Sequence, residues 1–288
     1  MSESVVADFP GTFYTHEVRG EPPNGRVLLN QRQLVLVADD VEEKINVRDI
    51  FDVKVGEVPD KLRMYFSDTV TVAYKDGDNR RIVAIEGDNK HIERFSTVLF
   101  KILLNGTKTL VKHPARRGGR VTDASVVPSK LDLEWEKIAF VNEEGGRVEI
   151  DLDNVIGVDR SKRDLGAGSQ PVVNFRHLDG NESVMTQAGI ESSRKTNLLG
   201  RYVRMRYADI EEELQDVSIT EEEEEILLAV YSAPGVSLSN VVDFNPQRLT
   251  MILRGLREKG LIAETRDETE LTMKGKVVAG NRVEQVND

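Results

Sequence analysis

The side chains able to do acid–base or metal chemistry in this 288-residue sequence are four histidines and fifty carboxylates, with no cysteine among them. The histidines, His16, His91, His113 and His177, fall on different segments, none at the spacing of a metal site, so each reads as a surface or half-buried structural residue. The acidic run Glu221 to Glu225 occupies successive positions of a helix. Its side chains fan around the axis, which makes a solvated face and no cation site. The loop Ser161 to Gln170 carries Lys162, Arg163, Gly166 and Gly168, but a phosphate loop needs its lysine after a final glycine at a helix start. No serine or threonine stands in a nucleophile-elbow pattern. Catalytic, metal and cofactor residues are therefore expected to be absent, and zero cysteines exclude disulfides and thiolate sites.

Arginine is the remaining chemical resource, and its fork suits carboxylates and phosphates. The stretch Lys108 to Ser125 is the one dense basic run, holding Lys112, His113, Arg116, Arg117 and Arg120 around Gly118-Gly119. Two readings apply: a solvated crossover balancing acidic neighbours, or a docking strip for an acidic partner through Arg116, Arg117 and Arg120. A second group, Arg248, Arg254 and Arg257 with Lys259, lies on one helix near the C-terminus and could enter a DNA major groove. From Ser218 to Asp288, however, eight basic against thirteen acidic residues give a charge of −5. Such a segment gains little from phosphate contacts, so protein docking is favoured over specific DNA binding. The alternative is a DNA-binding transcriptional regulator with N-terminal sensor modules.

The elements that would carry these residues follow from hydrophobic spacing. In a first stretch Val27 and Leu29 alternate, Leu34 to Val37 follows, then Ile45, Ile50 and Val53, then Val70, Val72 and Tyr74 run into Asp76-Gly77. About a hundred residues on, Leu131 and Leu133, Ile138 to Val141, Ile150, Val155 and Val158, then Val173 and Phe175 run into Asp179-Gly180. The Asp-Gly pairs read as hairpin turns, and Ile82 to Ile85 and Val184 to Gln187 as closing strands. The period then changes to 3.6. Ile92, Phe95, Val98, Leu99, Ile102 and Leu103 make one helical stripe, and Leu198, Leu199, Tyr202 and Val203 the other. A meander with one apolar face must curl and be plugged by its helix.

Beyond the acidic extension Ile210 to Asp216, Thr220 with Glu223 has capping-box spacing ahead of Ile226, Leu227, Val230 and Tyr231. Pro234-Gly235 ends that helix, Ser237 starts a short one through Val242, and Asn245-Pro246 opens a third with Leu249, Ile252, Leu253 and Leu256. Leu261-Ile262 and Leu271 to Met273 bracket a wing, and Lys274 to Val283 forms a last helix. The fold class expected is α+β: two pleckstrin-homology-like split β-barrels each capped by a helix, plus a C-terminal winged helix-turn-helix. The divisions are 1–107, a basic linker 108–127, 128–212 and 213–288.

Composition adds the setting. The net charge is −11, and the 39 cations divide into 24 arginines and 15 lysines, as a protein kept soluble at high salt would have. No apolar run approaches the ~18 residues that span a bilayer, and the N-terminus lacks a signal-peptide pattern, so a cytoplasmic protein without membrane insertion is expected.

The wording of the chain resembles the archaeal taxis protein CheF family, haloarchaeal members above all. The likeness rests on Ala7-Asp8-Phe9-Pro10-Gly11, Arg26 to Asn30, the duplicated β-modules, Ile252 to Leu256 and Leu271-Thr272. The resemblance implies a chemotaxis and phototaxis adaptor that binds the phosphorylated CheY response regulator. It implies a relay of the signal to accessory proteins of the archaellum motor, controlling its switching, with other Che proteins as further partners. A homodimer is compatible with that role.

Overall fold

The computed structural model describes residues 4–179, 182–215, 217–233, 238, 241–265 and 268–287, and among these the side chains of 206–213, 215, 264–265, 268, 281 and 283–287 are left aside. Gly180, Pro234-Gly235 and Ser237, on which one hairpin turn and one helix were expected, lie outside the described residues. The fold is α+β, with antiparallel sheets and five α-helices among the described residues.

The first sheet has seven strands, β1 (Ala7–Tyr14), β2 (Asn24–Leu29), β3 (Gln33–Ala38), β4 (Val41–Asn46), β5 (Ile50–Val55), β6 (Val70–Asp76) and β7 (Asn79–Glu86), in the order β4-β3-β2-β1-β7-β6-β5. Alternation places Val27, Leu29, Leu34, Leu36, Val70, Val72, Val83 and Ile85 on one buried face. Asp76-Gly77 makes the β6–β7 turn, with Gly77 at φ 58°. Helix α1 (Asn89–Leu104) starts at Asp88, whose carboxylate accepts the His91 amide at 3.0 Å, and buries Ile92, Phe95, Leu99 and Leu103. Phe100 and Leu104 are buried beside the expected stripe, and the Phe100 ring meets Tyr202 at 5.5 Å.

The second sheet repeats this plan. Its strands are β8 (Lys108–Arg117), β9 (Arg120–Val121), β10 (Val126–Leu133), β11 (Lys137–Asn142), β12 (Arg147–Asp151), β13 (Val155–Asp164), β14 (Ser169–Asp179) and β15 (Glu182–Gly189). The order β12-β11-β10-β8-β15-β14-β13, with β9 paired only to β8, is the order of the first sheet strand for strand. Helix α2 (Ser193–Gln215) follows it as α1 follows the first, and the expected Leu198, Leu199, Tyr202 and Val203 are buried.

Three segments differ from the sequence expectation. Residues 7–14 form β1, where the sequence reading assigned no element. Gly11 is needed there because a Cβ would lie 2.7 Å from the Glu86 carbonyl. The basic stretch 108–117, read as a linker, is the ten-residue strand β8, because Thr109, Val111 and Ala115 point inward between exposed bases. The loop expected at Ser161 to Gln170 shrinks likewise to the tip between β13 and β14.

The C-terminal part contains α3 (Glu221–Ser232), α4 (Pro246–Glu258), β16 (Ile262–Thr265), β17 (Glu268–Leu271) and α5 (Met273–Asn287). Thr220 and Glu223 form the expected capping box, and Ile226, Leu227, Val230, Ile252, Leu256, Leu261 and Ile262 share one core. The chain falls into two compact units, Met1–Thr109 with Ser129–Arg147 and Ile190–Met205, and Leu110–Pro128 with Val148–Gly189 and Arg206–Asp288.

Candidate functional site

Arg116, Arg117 and Arg120 lie on one exposed hairpin, β8–β9, turned by Gly118 and Gly119 at φ 53° and 77°. A side chain with a Cβ is disfavoured at such angles, so the two glycines fix the tight reversal. Their roles diverge. Arg117 donates to Glu182 at 2.8 Å and Asp179 at 3.2 Å, which raises its pKa and fastens the tip to the β14–β15 hairpin. Arg116 and Arg120 have no ion pair with the described residues and face solvent beside Val121, which is 70% exposed.

Opposite-strand pairing sets Val121, Arg116, Met185 and Arg176 in a row across β9, β8, β15 and β14. Two cations and a methionine thereby share the outer face of this sheet. The row beside it reads Lys112, Gln187, Asn174 and Asp159. Hydrogen bonds run through it: Gln187 donates to Asn174 at 3.0 Å, and Asn174 donates to Asp159 at 2.6 Å and to Ser161 at 3.1 Å.

The α4 arginines are separated in function by their partners. Arg248 makes a two-pronged ion pair with Glu222, one arm at 3.0 Å, and Arg254 donates to Glu258 at 2.8 Å. Arg257 also has an interaction partner, so the set is not the free row of donors that base reading requires. Met251, 64% exposed, stands among them on the solvent face.

Two features were not legible in the sequence. Glu223, expected on a solvated face, is 6% exposed, and Lys259 donates to both its oxygens at 2.7 and 2.6 Å. The Glu223 pKa is lowered: burial opposes ionisation, but the Lys259 bonds and the Thr220 amide outweigh it. The second is a histidine pair. His113 on β8 and His177 on β14 stack at 5.8 Å, and the fully buried Thr186 hydroxyl joins His113 Nδ1 at 2.7 Å and His177 Nε2 at 2.9 Å. Burial lowers both imidazole pKa values, that of His177 to about 4. Sixty-three intervening residues hide a contact that only the β8–β15–β14 register makes. Among the described residues no group of three or more His, Asp or Glu side chains is placed to hold a metal, and no helix is long and apolar enough to cross a membrane.

Comparison with known proteins agrees with the pattern of the chain. The family model described as Archaeal Chemotaxis signal transduction system protein F, CheF-arch, matches residues 5–209. Taxis protein CheF2 of Halobacterium salinarum is 38% identical over 292 aligned positions, covering 100% of both chains. Taxis protein CheF1 of the same organism is 25% identical with 99% of each chain covered. Among solved structures, that of the Spt16D Pob3N heterodimer aligns with 61% of this chain and 85% of its own at a TM-score of 0.25 and 10% identity. The family match and the full-length identity place this chain in the CheF family of archaeal chemotaxis signal transduction proteins.

Proposed function

We propose that this protein is a cytoplasmic, non-enzymatic adaptor that binds the phosphorylated form of a CheY-like response regulator. It passes the signal to archaellum accessory proteins, other Che proteins being additional partners. The observation that carries the reading is similarity to taxis proteins, 38% identity covering 100% of this chain and of the relative. A relay of this kind needs two docking surfaces and no active site. In the same reading the β-modules are pleckstrin-homology-like split barrels, with β8 counted in the second, and the C-terminal part is a winged helix-turn-helix.

Arg116 and Arg120 supply one candidate contact with an acidic partner, Arg117 being already committed to Asp179 and Glu182. Phosphorylation shifts a receiver toward an active face, so the adaptor has to prefer that face by a few kcal/mol, each tenfold being about 1.4 kcal/mol. In concentrated salt the screening length falls below about 3 Å, which leaves apolar contact and direct hydrogen bonds to supply the preference.

The test is receiver affinity with and without beryllofluoride, for the native chain and for Arg116→Ala/Arg117→Ala/Arg120→Ala. Tighter binding of the activated receiver is expected, with the triple variant weakened. Equal affinity for both receiver states defeats the relay. The competing DNA-binding reading predicts a salt-dependent gel shift lost in Arg254→Ala, and the intramolecular pairs of Arg248 and Arg254 weigh against it.

A further inference from the structure

The outer face of the second sheet carries a groove of about 840 Å³ that the adaptor reading does not use. Leu110 and Lys112 of β8 and Gln187 of β15 make its floor, Val126 and Pro128 one wall, and the segment Arg163 to Ala167 the other. All of these belong to one compact unit.

The wall formed by the β13–β14 tip is built with care. Asp164 Oδ1 accepts the amides of Gly166 at 2.7 Å and Gly168 at 3.0 Å, both glycines at positive φ. Leu165, at the end of a hairpin, is nonetheless only 7% exposed. It is tucked toward Gly189, where an added Cβ would come within 3.0 Å of it. The floor is polar at depth: Gln187 is 7% exposed, with its amide held by Asn174.

Charge decides what such a groove takes. Lys112 and Arg163 line it, Arg116 stands in the adjacent row, and no described carboxylate pairs with any of the three. Asp164 also lines the groove and keeps its charge while accepting the tip amides, so the two cations leave the lining with one net positive charge; Asp159, outside the lining, is hydrogen-bonded to Asn174. The corresponding face of the first sheet is the opposite case. There Leu62 and Phe66 lie over Ala84, and the cations lining the cleft beside them are paired, Arg63 with Asp60 and Lys54 with Glu57. In a chain of net charge −11, a groove with unpaired cations and aliphatic walls is complementary to an acidic segment bearing small apolar side chains.

We infer that this groove docks an extended acidic segment of a partner protein, Lys112 and Arg163 receiving its carboxylates and Leu110, Val126 and Pro128 its aliphatic side chains. The inference does not depend on which partner supplies the segment, and so stands apart from the receiver reading.

The probe is a fluorescein-labelled dodecapeptide of alternating Glu and Val, titrated against the full chain by polarisation, with a Gln-Val peptide as control. Saturable binding of the Glu-Val peptide is expected, at least tenfold tighter than the control. Lys112→Glu and Arg163→Glu each weaken it tenfold or more, Val126→Asp does the same from the apolar side, and Arg254→Ala leaves it unchanged. Far-UV circular dichroism of each variant separates loss of the groove from loss of the fold. A milder pair, Lys112→Gln and Arg163→Gln, gives the same ranking should a reversal variant unfold. Absence of peptide binding overturns the inference. So does equal affinity for the two peptides, or displacement by tripolyphosphate with Val126→Asp behaving as native, which would make the groove a small-polyanion site.

Discussion

Acidification is expected to destabilise the protein through the pair His113 and His177, and replacement of His177 tests the reasoning. Thr186 has a single hydroxyl proton, so it donates to one ring while the other ring donates to it. The arrangement requires the accepting ring to be neutral, so both rings cannot be protonated without breaking one of the two bonds. A second constraint is the stacking at 5.8 Å, which sets a charge on either ring against the other, with Arg117 adding to the repulsion and Asp179 opposing it. Burial is the largest cause of the shift, and His177 is 4% exposed. Its folded pKa of about 4 lies below the unfolded value of 6.5, so the unfolded chain binds the proton more readily. Stability is fully present above pH 6.5 and is lost as pH falls toward 4. At about 1.36 kcal/mol per unit, the loss from His177 across that window amounts to about 3 kcal/mol. Urea unfolding followed by circular dichroism at a series of pH values measures it. Carboxylates that titrate in the same range are common to native chain and His177→Phe, so the difference between their pH profiles isolates the imidazole. The variant is expected to lose about 3 kcal/mol less than the native chain between neutral pH and pH 4. Parallel profiles refute the reasoning.

Three further outcomes follow from contacts described above. Lys259→Met leaves Glu223 charged in a nearly closed site. It is expected to cost about 2–3 kcal/mol in thermal unfolding, below the full cost of a buried pair because Lys259 is itself about a third exposed, and Glu223→Gln added to it restores part. Gly275→Ala places a Cβ 2.0 Å from the Leu261 carbonyl, so α5 must shift; a loss of about 2 kcal/mol or more in the same assay is expected. Arg254→Ala removes only an exposed i, i+4 pair with Glu258 and is expected to leave the melting midpoint where it is.

The sequence discloses those elements whose burial imposes a period. Val27 and Leu29, Val70 and Val72, and Val173 and Phe175 alternate because each strand has one face in a core, and Leu249, Ile252 and Leu256 recur because α4 lays one stripe inward. Strand β1 escaped because Pro10-Gly11 speaks locally for a turn, while its pairing to β7 is decided by residues far along the chain. Strand β8 escaped because its exposed bases hide the inward Thr109, Val111 and Ala115. Sites are harder than elements. Clustering of Arg116, Arg117 and Arg120 is visible at short range, but the carboxylates that claim Arg117 arrive from the β14–β15 hairpin. The partner of Glu223 lies 36 residues away, across two helices.

The folded-in tip of the β13–β14 hairpin has a consequence for proteolysis. Proteases cut exposed turns because they must draw several residues into an extended strand, and a tip lying on the surface offers those residues freely. Here drawing out Asp164 to Gly168 surrenders the two hydrogen bonds that the Gly166 and Gly168 amides donate to Asp164, and re-exposes Leu165. Trypsin therefore meets Arg163 as a basic residue that is accessible yet slow to yield, whereas Arg120, beyond the Gly118-Gly119 turn and on a two-residue strand, is the earlier site of cleavage.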